Sequence, residues 1–467
     1  MMDRSISNMA YRYHFIGIGG IGMSGMAQIL LNKGFQVSGS DLKKSDATVL
    51  LENKGAVIHY THDAKHIDNT DVIIYSSAVQ KDNVEFAEAL KQRKIIIPRA
   101  ELLNSLCGSE AIAICGTHGK TTTSSILSKI LFDAGMDPTI LLGGIAPFIA
   151  SNSYDGRGRY TVFEACEAYG SLHYYYPKMV LINNLDIDHI DYFGTMDAII
   201  EEFRYFIKKI PYHGALFINS DDENLMKLVE NYHKPIVRFG LSDNLNDYTA
   251  RNIQFQQNET SFDLYNQNKK TDNIRYPLAG KHNVYNMLAA ISISLYLGLD
   301  IDVIKKSIKE FKNSDRRLQL IAEQGDIKLY TDYAHHPTEI SATLDSLKQN
   351  TVNNRIISIF QPHLFSRTRH FYKEFALALE KSDYVCLLPV YPAREKEIPG
   401  VSSDMIKNEM IRNGFEEKVS NFLSQEELSL FLKDFLGQGD VVITLGAGDI
   451  NEYTLDIKNE ILPGINK

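Results

Sequence analysis

The chain has 467 residues, 44% apolar and 23% charged, with a formal net charge of −9. That length exceeds what one hydrophobic core serves and predicts about three domains, and the apolar and charged fractions are those of a soluble globular protein. The negative balance, with no dense Lys/Arg block against it, excludes a nucleic-acid binder, so anionic ligands must be gathered by local sites. Cys107, Cys115, Cys166 and Cys386 lack metal-ligand spacing and read as reduced thiols. The opening MMDRSISNMAYRYHF has no apolar signal core, and no run of 18 apolar residues exists. The expectation is a cytoplasmic protein without membrane insertion.

The first segment reads YHFIGIGGIGMSGMAQILLNKGFQVSGSD. A strand over about residues 13–18 meets Gly17-x-Gly19-Gly20-x-Gly22, then come a helix to about Lys33, a strand over 35–39 and Asp41. Strand, glycine loop, helix and an acid about 20 residues on are the parts of a Rossmann βαβ unit that holds a nucleotide diphosphate. A glycine turn serving helix packing alone would look the same at the loop itself. Further strands near Val57, over 71–76 and over 95–97 complete a domain expected to span residues 1–108.

The second domain, expected over 109–312, opens with AIAICGTHGKTTTSSILSKIL. An apolar strand ends in Gly116-Thr117-His118-Gly119-Lys120-Thr121-Thr122, and a helix follows at once. Backbone N–H groups in the turn, the helix N-terminus and the Lys120 ammonium form a phosphate cradle, in which the Thr121 hydroxyl would hold Mg²⁺. The loop is shorter than the strict motif, whose first glycine is missing. Strands over 160–163, 179–185, 215–219 and 236–239 predict a largely parallel sheet with ligands at its carboxyl ends. Two of those ends carry charge: Glu164 and Glu167 in TVFEACEAYGS, and Asp186, Asp188, His189 and Asp191 in LINNLDIDHIDYF. Hard oxygen ligands beside a phosphate loop suit a divalent cation, and each residue alone is equally a solvated turn position. Alternating segments over 249–255, 261–265 and 273–276 predict an antiparallel patch. In LAGKHNVYNMLAA, His282, Asn283 and Asn286 begin a helix, where Asn side chains either read an adenine edge or cap the helix.

The third domain is expected over 313–467. FKNSDRRLQLI passes Arg316 and Arg317 into a strand; LYTDYAHHPTE ends a strand at Asp332 and starts a helix at Pro337 after His335 and His336. RIISIFQPHLFSRTRHF ends a buried strand before His363 and opens a helix with Arg367 and Arg369. Loops rich in His and Arg at successive strand ends predict one functional rim. The whole reads as an α/β protein of three domains: Rossmann-like, then a central ATPase-type parallel sheet with an antiparallel patch, then Rossmann-like again.

Assembled, these stretches resemble the Mur ligases across nearly the whole chain: FIGIGGIGMSGMA, SGSD, SSAV, IPRAELL, GTHGKTTT, EACE, NLDIDHID, GKHNVYN, DYAHHPTE, QPHLFSRT, YPAREKEIPG and GAGDI. The resemblance implies an ATP-dependent, Mg²⁺-requiring ligase of peptidoglycan precursor synthesis. UDP-N-acetylmuramate and L-alanine are its expected substrates, and a recycled murein tripeptide is the alternative to alanine. It implies a monomer or homodimer. Carried over by position, Gly17, Gly19, Gly20, Gly22, Met23, Ser24, Asp41, Ser76, Ser77 and Arg99 would bind the UDP-sugar. Gly116 to Thr122, His282, Asn283, Asn286, Arg317 and Asp332 would bind ATP. Thr121, Glu164 and His189 would hold metal, and Lys120, His189, His335, His336 and Arg367 would carry the chemistry. Two departures stand out: Cys166 occupies a position where the family commonly has Asp, and the glycine usually found before the Arg pair is absent. An NAD-dependent oxidoreductase using only the first glycine loop is the remote alternative, and it leaves the second phosphate loop unexplained. Segments near Ser109 and Asn313 are the expected hinges.

Overall fold

A computed structural model describes residues 11–242, 246–256, 259–351 and 354–462, except the side chains of residues 190 and 191. Asp191 therefore lies outside the described side chains. Each expected glycine loop follows a strand that is buried on both faces, and three sheets organise the rest. The first holds β1 (Arg12–Ile16), β2 (Gln36–Ser40), β3 (Val57–His59), β4 (Val72–Tyr75) and β5 (Ile95–Pro98) in the order β3-β2-β1-β4-β5, all parallel. The order reverses direction at β1, so the loop after Ile16 opens into the crevice where such sheets bind ligands.

The second sheet has ten strands: β6 (Glu110–Cys115), β7 (Thr139–Ala146), β8 (Ser151–Tyr154), β9 (Tyr160–Glu164), β10 (Met179–Ile182), β11 (Ala215–Asn219), β12 (Ile236–Gly240), β13 (Tyr248–Gln256), β14 (Glu259–Asn266) and β15 (Lys269–Tyr276). Their order is β15-β14-β13-β12-β11-β10-β6-β9-β7-β8. β6 is central, and residues 111–115 are buried, which is why AIAIC reads as an unbroken apolar run. The antiparallel patch is present as β13 to β15 and continues the same sheet through a short parallel pairing of Phe239 with Tyr248. β7 and β8 were not legible as strands, because a Gly143-Gly144 pair interrupts the first.

The third sheet comprises β16 (Gln319–Gln324), β17 (Ile327–Asp332), β18 (Ile356–Phe360), β19 (Tyr384–Leu387), β20 (Val419–Asn421) and β21 (Val441–Leu445), in the order β16-β17-β21-β18-β19-β20. Only β16 runs antiparallel to its neighbour. Helices Pro337–Asn350 and Phe365–Leu379 follow β17 and β18, so their N-termini lie at the carboxyl edge of the sheet.

The joints between the three units differ in kind. One apolar cluster runs from Phe15, Met26 and Leu30 of the first unit into Phe163, Tyr175 and Phe203 of the second. Asn152, buried in β8, donates to the Ile21 carbonyl and accepts from Gln28 Nε2 at 3.2 Å, so the hairpin is bonded to the helix Ile21–Asn32 that follows the first glycine loop. Lys33 pairs with Asp155 at 2.7 Å on the same seam. A shared core at the Ser109 joint leaves it less free than the expected hinge there requires. The third unit instead meets the second through polar contacts described below. Asn152→Ala strips partners from buried groups and should lower unfolding free energy by about 1–3 kcal/mol. Chemical denaturation read by circular dichroism checks this, and an unchanged midpoint would mean the seam carries no load.

Candidate active site

The turn between β6 and the helix Lys120–Asp133 is built by its neighbours. Gly116 has φ 109°, and a Cβ there would lie 2.8 Å from the Asn184 carbonyl oxygen, so no side chain fits. The Thr117 N–H donates to that carbonyl at 3.1 Å, and the His118 N–H donates to Asn184 Oδ1 at 2.8 Å. Asn183 Nδ2 and Asn184 Nδ2 both donate to the His118 carbonyl. The asparagines of LINNLD thus brace the loop from the end of the neighbouring strand, a role that uncharged side chains do not announce in the sequence. Lys120 Nζ folds back to the carbonyls of Gly116 at 2.5 Å and Thr117 at 2.9 Å, and pairs with buried Glu167 at 3.4 Å. Burial opposes its charge, but Glu167, Cys166, Asp188 and Glu164 outweigh that and hold the ammonium above its ordinary value.

Thr121 and Glu164 come together as expected: Thr121 Oγ1 donates to Glu164 Oε2 at 3.0 Å. The other carboxylate oxygen accepts from Ser124 Oγ at 3.0 Å and from the Gly143 N–H at 2.5 Å. A Cβ on Gly143 would lie 2.6 Å from Glu164 Oε2, so the glycine pair in β7 exists for this close approach. Adjacent oxygens around an octahedral Mg²⁺ at about 2.0–2.1 Å stand about 3 Å apart. The hydroxyl and carboxylate therefore fit two neighbouring positions of such an ion. His189, expected beside this pair, has φ 49°, donates its N–H to Asp188 Oδ1 at 2.7 Å and holds its ring 6.3 Å from that of Tyr169.

One cavity lies over the first glycine loop, and two others flank this turn. The first, of about 650 Å³, is lined in the first unit by Gly17, Gly20, Gly22 and Met23, and across from them by Asp41, Ser76, Ser77 and Arg99. Asp41 Oδ2 accepts from the Gly19 N–H at 2.9 Å, which shapes the loop. Ser24, also expected in this set, is buried, its hydroxyl accepts from Asn152 Nδ2 at 3.4 Å, and it is not among the residues that line this cavity. A second cavity of about 100 Å³ is walled by Gly22 and Arg99 on one side and by Lys120, Glu164, Gly143 and Cys166 on the other. Arg99 thus lines both.

A third cavity, of about 350 Å³, lies beyond the phosphate turn, between the second and third units. His118, Gly119 and Thr122 form one wall, His282, Asn283 and Asn286 another, and Arg317, Asp332 and Glu339 close it. The helix Lys281–Tyr296 has no side-chain cap, and Asn283 Nδ2 donates backwards to the Ala279 carbonyl at 2.7 Å while Asn286 Nδ2 donates to Asn283 Oδ1 at 3.1 Å. The two asparagines are thus cavity residues and not helix caps. Burial lowers the His282 imidazole to about 4 and raises the Asp332 carboxyl to about 6, although Arg317 pulls the latter back. Arg317 also donates to Thr121 Oγ1 at 3.2 Å, so a third-unit arginine touches the hydroxyl that bonds Glu164.

The third unit grips the second through charge. His118 Nε2 bonds Asp186 at 3.1 Å and its Nδ1 bonds Glu339 at 3.2 Å. Burial disfavours the imidazolium, but these two carboxylates prevail and push it up to about 9. Arg367 donates to Asp188 Oδ1 at 2.7 Å, with both side chains nearly buried. Its Nε is buried without a hydrogen-bond partner among the described residues. His335 donates its Nδ1–H to the Tyr333 carbonyl at 3.0 Å, burial lowers it to about 4, and His363 stands 5.9 Å from it, ring to ring. His336 does not share that rim: it is buried, caps Thr338 through Nδ1 and bonds the Ile187 carbonyl through Nε2 at 3.0 Å.

The fold and these cavities define a three-domain nucleotide-binding enzyme organised about one phosphate loop. The Mur ligase family catalytic domain model matches residues 12–110, the Mur ligase middle domain 114–294, and the Mur ligase glutamate ligase domain 316–448. A UDP-N-acetylmuramate–L-alanine ligase from Endomicrobium trichonymphae is 41% identical over 438 residues, 94% of this chain and 96% of the relative. Another of that name, from Aquifex aeolicus (strain VF5), is 37% identical and covers 96% of this chain and 98% of its own. The crystal structure of UDP-N-acetylmuramate-alanine ligase MurC from Thermotoga maritima matches with a TM-score of 0.81 at 27% identity, over 96% of this chain and 98% of that one. A murein peptide ligase from Psychrobacter arcticus shares the fold, with a TM-score of 0.74 at 23% identity, over 97% of this chain and 99% of that one. The chain belongs to the Mur ligase family.

The His118 bridge gives a pH dependence of definite sign. A folded-state value near 9 against about 6.5 unfolded makes its contribution full below about pH 6.5, declining above that and gone beyond about pH 9. Thermal unfolding of the chain and of His118→Asn should therefore converge as pH rises from 6.5 to 9.5. A constant gap across that range would mean that His118 is not charged in the folded protein.

Proposed function

We propose that the chain ligates L-alanine to the lactyl carboxylate of UDP-N-acetylmuramate at the expense of ATP, in the cytoplasm. The observation that carries this reading is the small cavity walled by Arg99 and Gly22 on one side and Lys120 and Glu164 on the other. A carboxylate carried in on a sugar nucleotide bound over the first glycine loop reaches the phosphate loop there without leaving the protein.

The difficulty is electrostatic. A carboxylate approaching a γ-phosphate to about 4 Å meets roughly 4 kcal/mol of repulsion per pair of unit charges at an effective dielectric near 20. Arg99 orients the carboxylate, Lys120 exchanges its own loop carbonyls for phosphate oxygens, and Arg317 approaches from the third unit. Thr121 and Glu164 would hold Mg²⁺, which supplies further charge neutralisation on the phosphates; His189 with Asp188 is our candidate for a second position. The carboxylate oxygen bonds to the γ-phosphorus, the bridging P–O bond breaks and ADP departs, leaving an acyl phosphate.

The amine then attacks the acyl carbon, the C–O bond to phosphate breaks, and inorganic phosphate leaves. We assign the alanine carboxylate to the unpaired Nε of Arg367, because a buried guanidinium nitrogen without a partner wants an anion. His335 is neutral near pH 7, with Nδ1–H spent on the Tyr333 carbonyl, so Nε2 accepts from the amine and orients it. We place His336 as a positioning residue at the junction. Asn283, Asn286, His282 and Asp332 are assigned to the adenosine part of ATP. The third unit closes about the segment near Asn313, which keeps water from the acyl phosphate.

Phosphate release should require UDP-N-acetylmuramate and L-alanine together, with glycine, serine and the murein tripeptide run beside alanine. Lys120→Ala should lower kcat by at least about 10²–10³-fold while the protein stays folded by circular dichroism. Release without an amino acid, or a preference for the tripeptide, would overturn the reading.

A further inference from the structure

Apart from the residues assigned to phosphate transfer, one group at the junction of the second and third units has the make-up of a transition-metal site. One ligand atom each from His118, Asp186 and His336 lie within 4.8 Å of one another, the one such His/Cys/Asp/Glu group among the described residues. His118 Nε2 stands 3.1 Å from Asp186 Oδ2, and His336 Nδ1 stands 3.8 Å from the same oxygen. Two bonds of about 2.0–2.1 Å at a tetrahedral angle place ligand atoms about 3.3 Å apart. Both separations therefore come within about half an ångström of that spacing.

The opposite ring nitrogens are already held in the way metal-bound imidazoles are held. His118 Nδ1 faces Glu339 Oε1 at 3.2 Å, and His336 Nε2 faces the Ile187 carbonyl at 3.0 Å. With Nε2–H given to that carbonyl, His336 turns the Nδ1 lone pair toward a carboxylate, an arrangement that favours a cation between them. Thr338 partly relieves it: its N–H donates to His336 Nδ1 at 3.3 Å and its hydroxyl to Asp186 Oδ2 at 2.7 Å. That hydroxyl, or a water replacing it, is the candidate fourth ligand.

We propose that His118, Asp186 and His336 form a binding site for a borderline divalent transition cation of the Zn²⁺ class, distinct from the Thr121–Glu164 pair. Two imidazoles and one carboxylate select such an ion over Mg²⁺, which prefers oxygen ligands. The ion replaces the proton that His118 shares with Asp186. Because His118 and Asp186 lie in loops that follow strands of the second unit and His336 opens the helix Pro337–Asn350, occupancy fastens the third unit to the phosphate loop.

The probe is Co²⁺ added to the full-length, nucleotide-free protein, read by its visible absorption, which does not depend on ligase activity. One equivalent should give the bands of a nitrogen-ligated four-coordinate ion, displaced by Zn²⁺ and unaffected by a large excess of Mg²⁺. Asp186→Asn and His336→Asn should each abolish the bands, with folding verified by circular dichroism so that either variant can decide. Glu339→Gln should weaken binding about 10–100-fold. Glu164→Gln should leave the bands intact, as should His62→Asn, which disturbs the separate cluster where His62 and His66 meet Glu85 at 3.0 and 2.9 Å. Absence of bands in the unaltered protein, their survival in a folded Asp186 or His336 variant, or their loss in either control would overturn the proposal.

Discussion

The hydrogen bonds that hold the turn from Gly116 to Lys120 decide where everything else can stand. Asn183 and Asn184 grip it from the neighbouring strand, and Thr117 exchanges bonds with the backbone of Asp186: the Asp186 N–H donates to its hydroxyl at 2.8 Å, and that hydroxyl lies 3.2 Å from the Asp186 carbonyl. With the turn fixed, Lys120 faces Glu167 and the small cavity toward the first unit, while His118 faces the third. One five-residue turn therefore serves two different neighbours from opposite flanks. On the proposed mechanism, a shift there would separate the cavities that a carboxylate, a phosphate and an amine must share.

The two joints around that turn are made of different physics, and the difference suits their duties. Apolar packing ties the first unit to the second, and such contact is non-directional and lost only by exposing surface to water. Charge ties the third unit to the second, through His118 with Glu339, Arg367 with Asp188, and Arg394 stacked 4.9 Å from the Tyr169 ring. Ion pairs of this kind trade readily against water or ligand charge, so the joint can break and re-form as anionic substrates come and go. Arg317 on Thr121 carries the same logic to the phosphate loop itself.

Much of this was legible because the relevant signals are local. Apolar runs ending in glycine or charge marked β1, β6, β9, β17 and β18, and the first turns of helices marked His282, Asn283 and Pro337. What escaped was set by partners distant in sequence. Gly143 reads as a loop residue until Glu164 is seen against it, and Ser24 reads as part of the glycine loop until Asn152 claims it. Glu339 looks like an ordinary first-turn acid, yet it bonds His118 across 221 positions. His336 and His335 are adjacent in the chain but face different neighbours, which no spacing argument reveals.

On the proposed mechanism the carboxylate and the terminal phosphate meet beside Lys120 and become covalently joined. UDP-N-acetylmuramate labelled with ¹⁸O in its lactyl carboxylate, turned over once with ATP and L-alanine, tests it most directly through the isotope shift of the product phosphate in ³¹P NMR. One labelled oxygen should appear in inorganic phosphate and none in ADP. Phosphate free of label, with both labelled oxygens retained in the sugar nucleotide or passed to another product, would contradict the account.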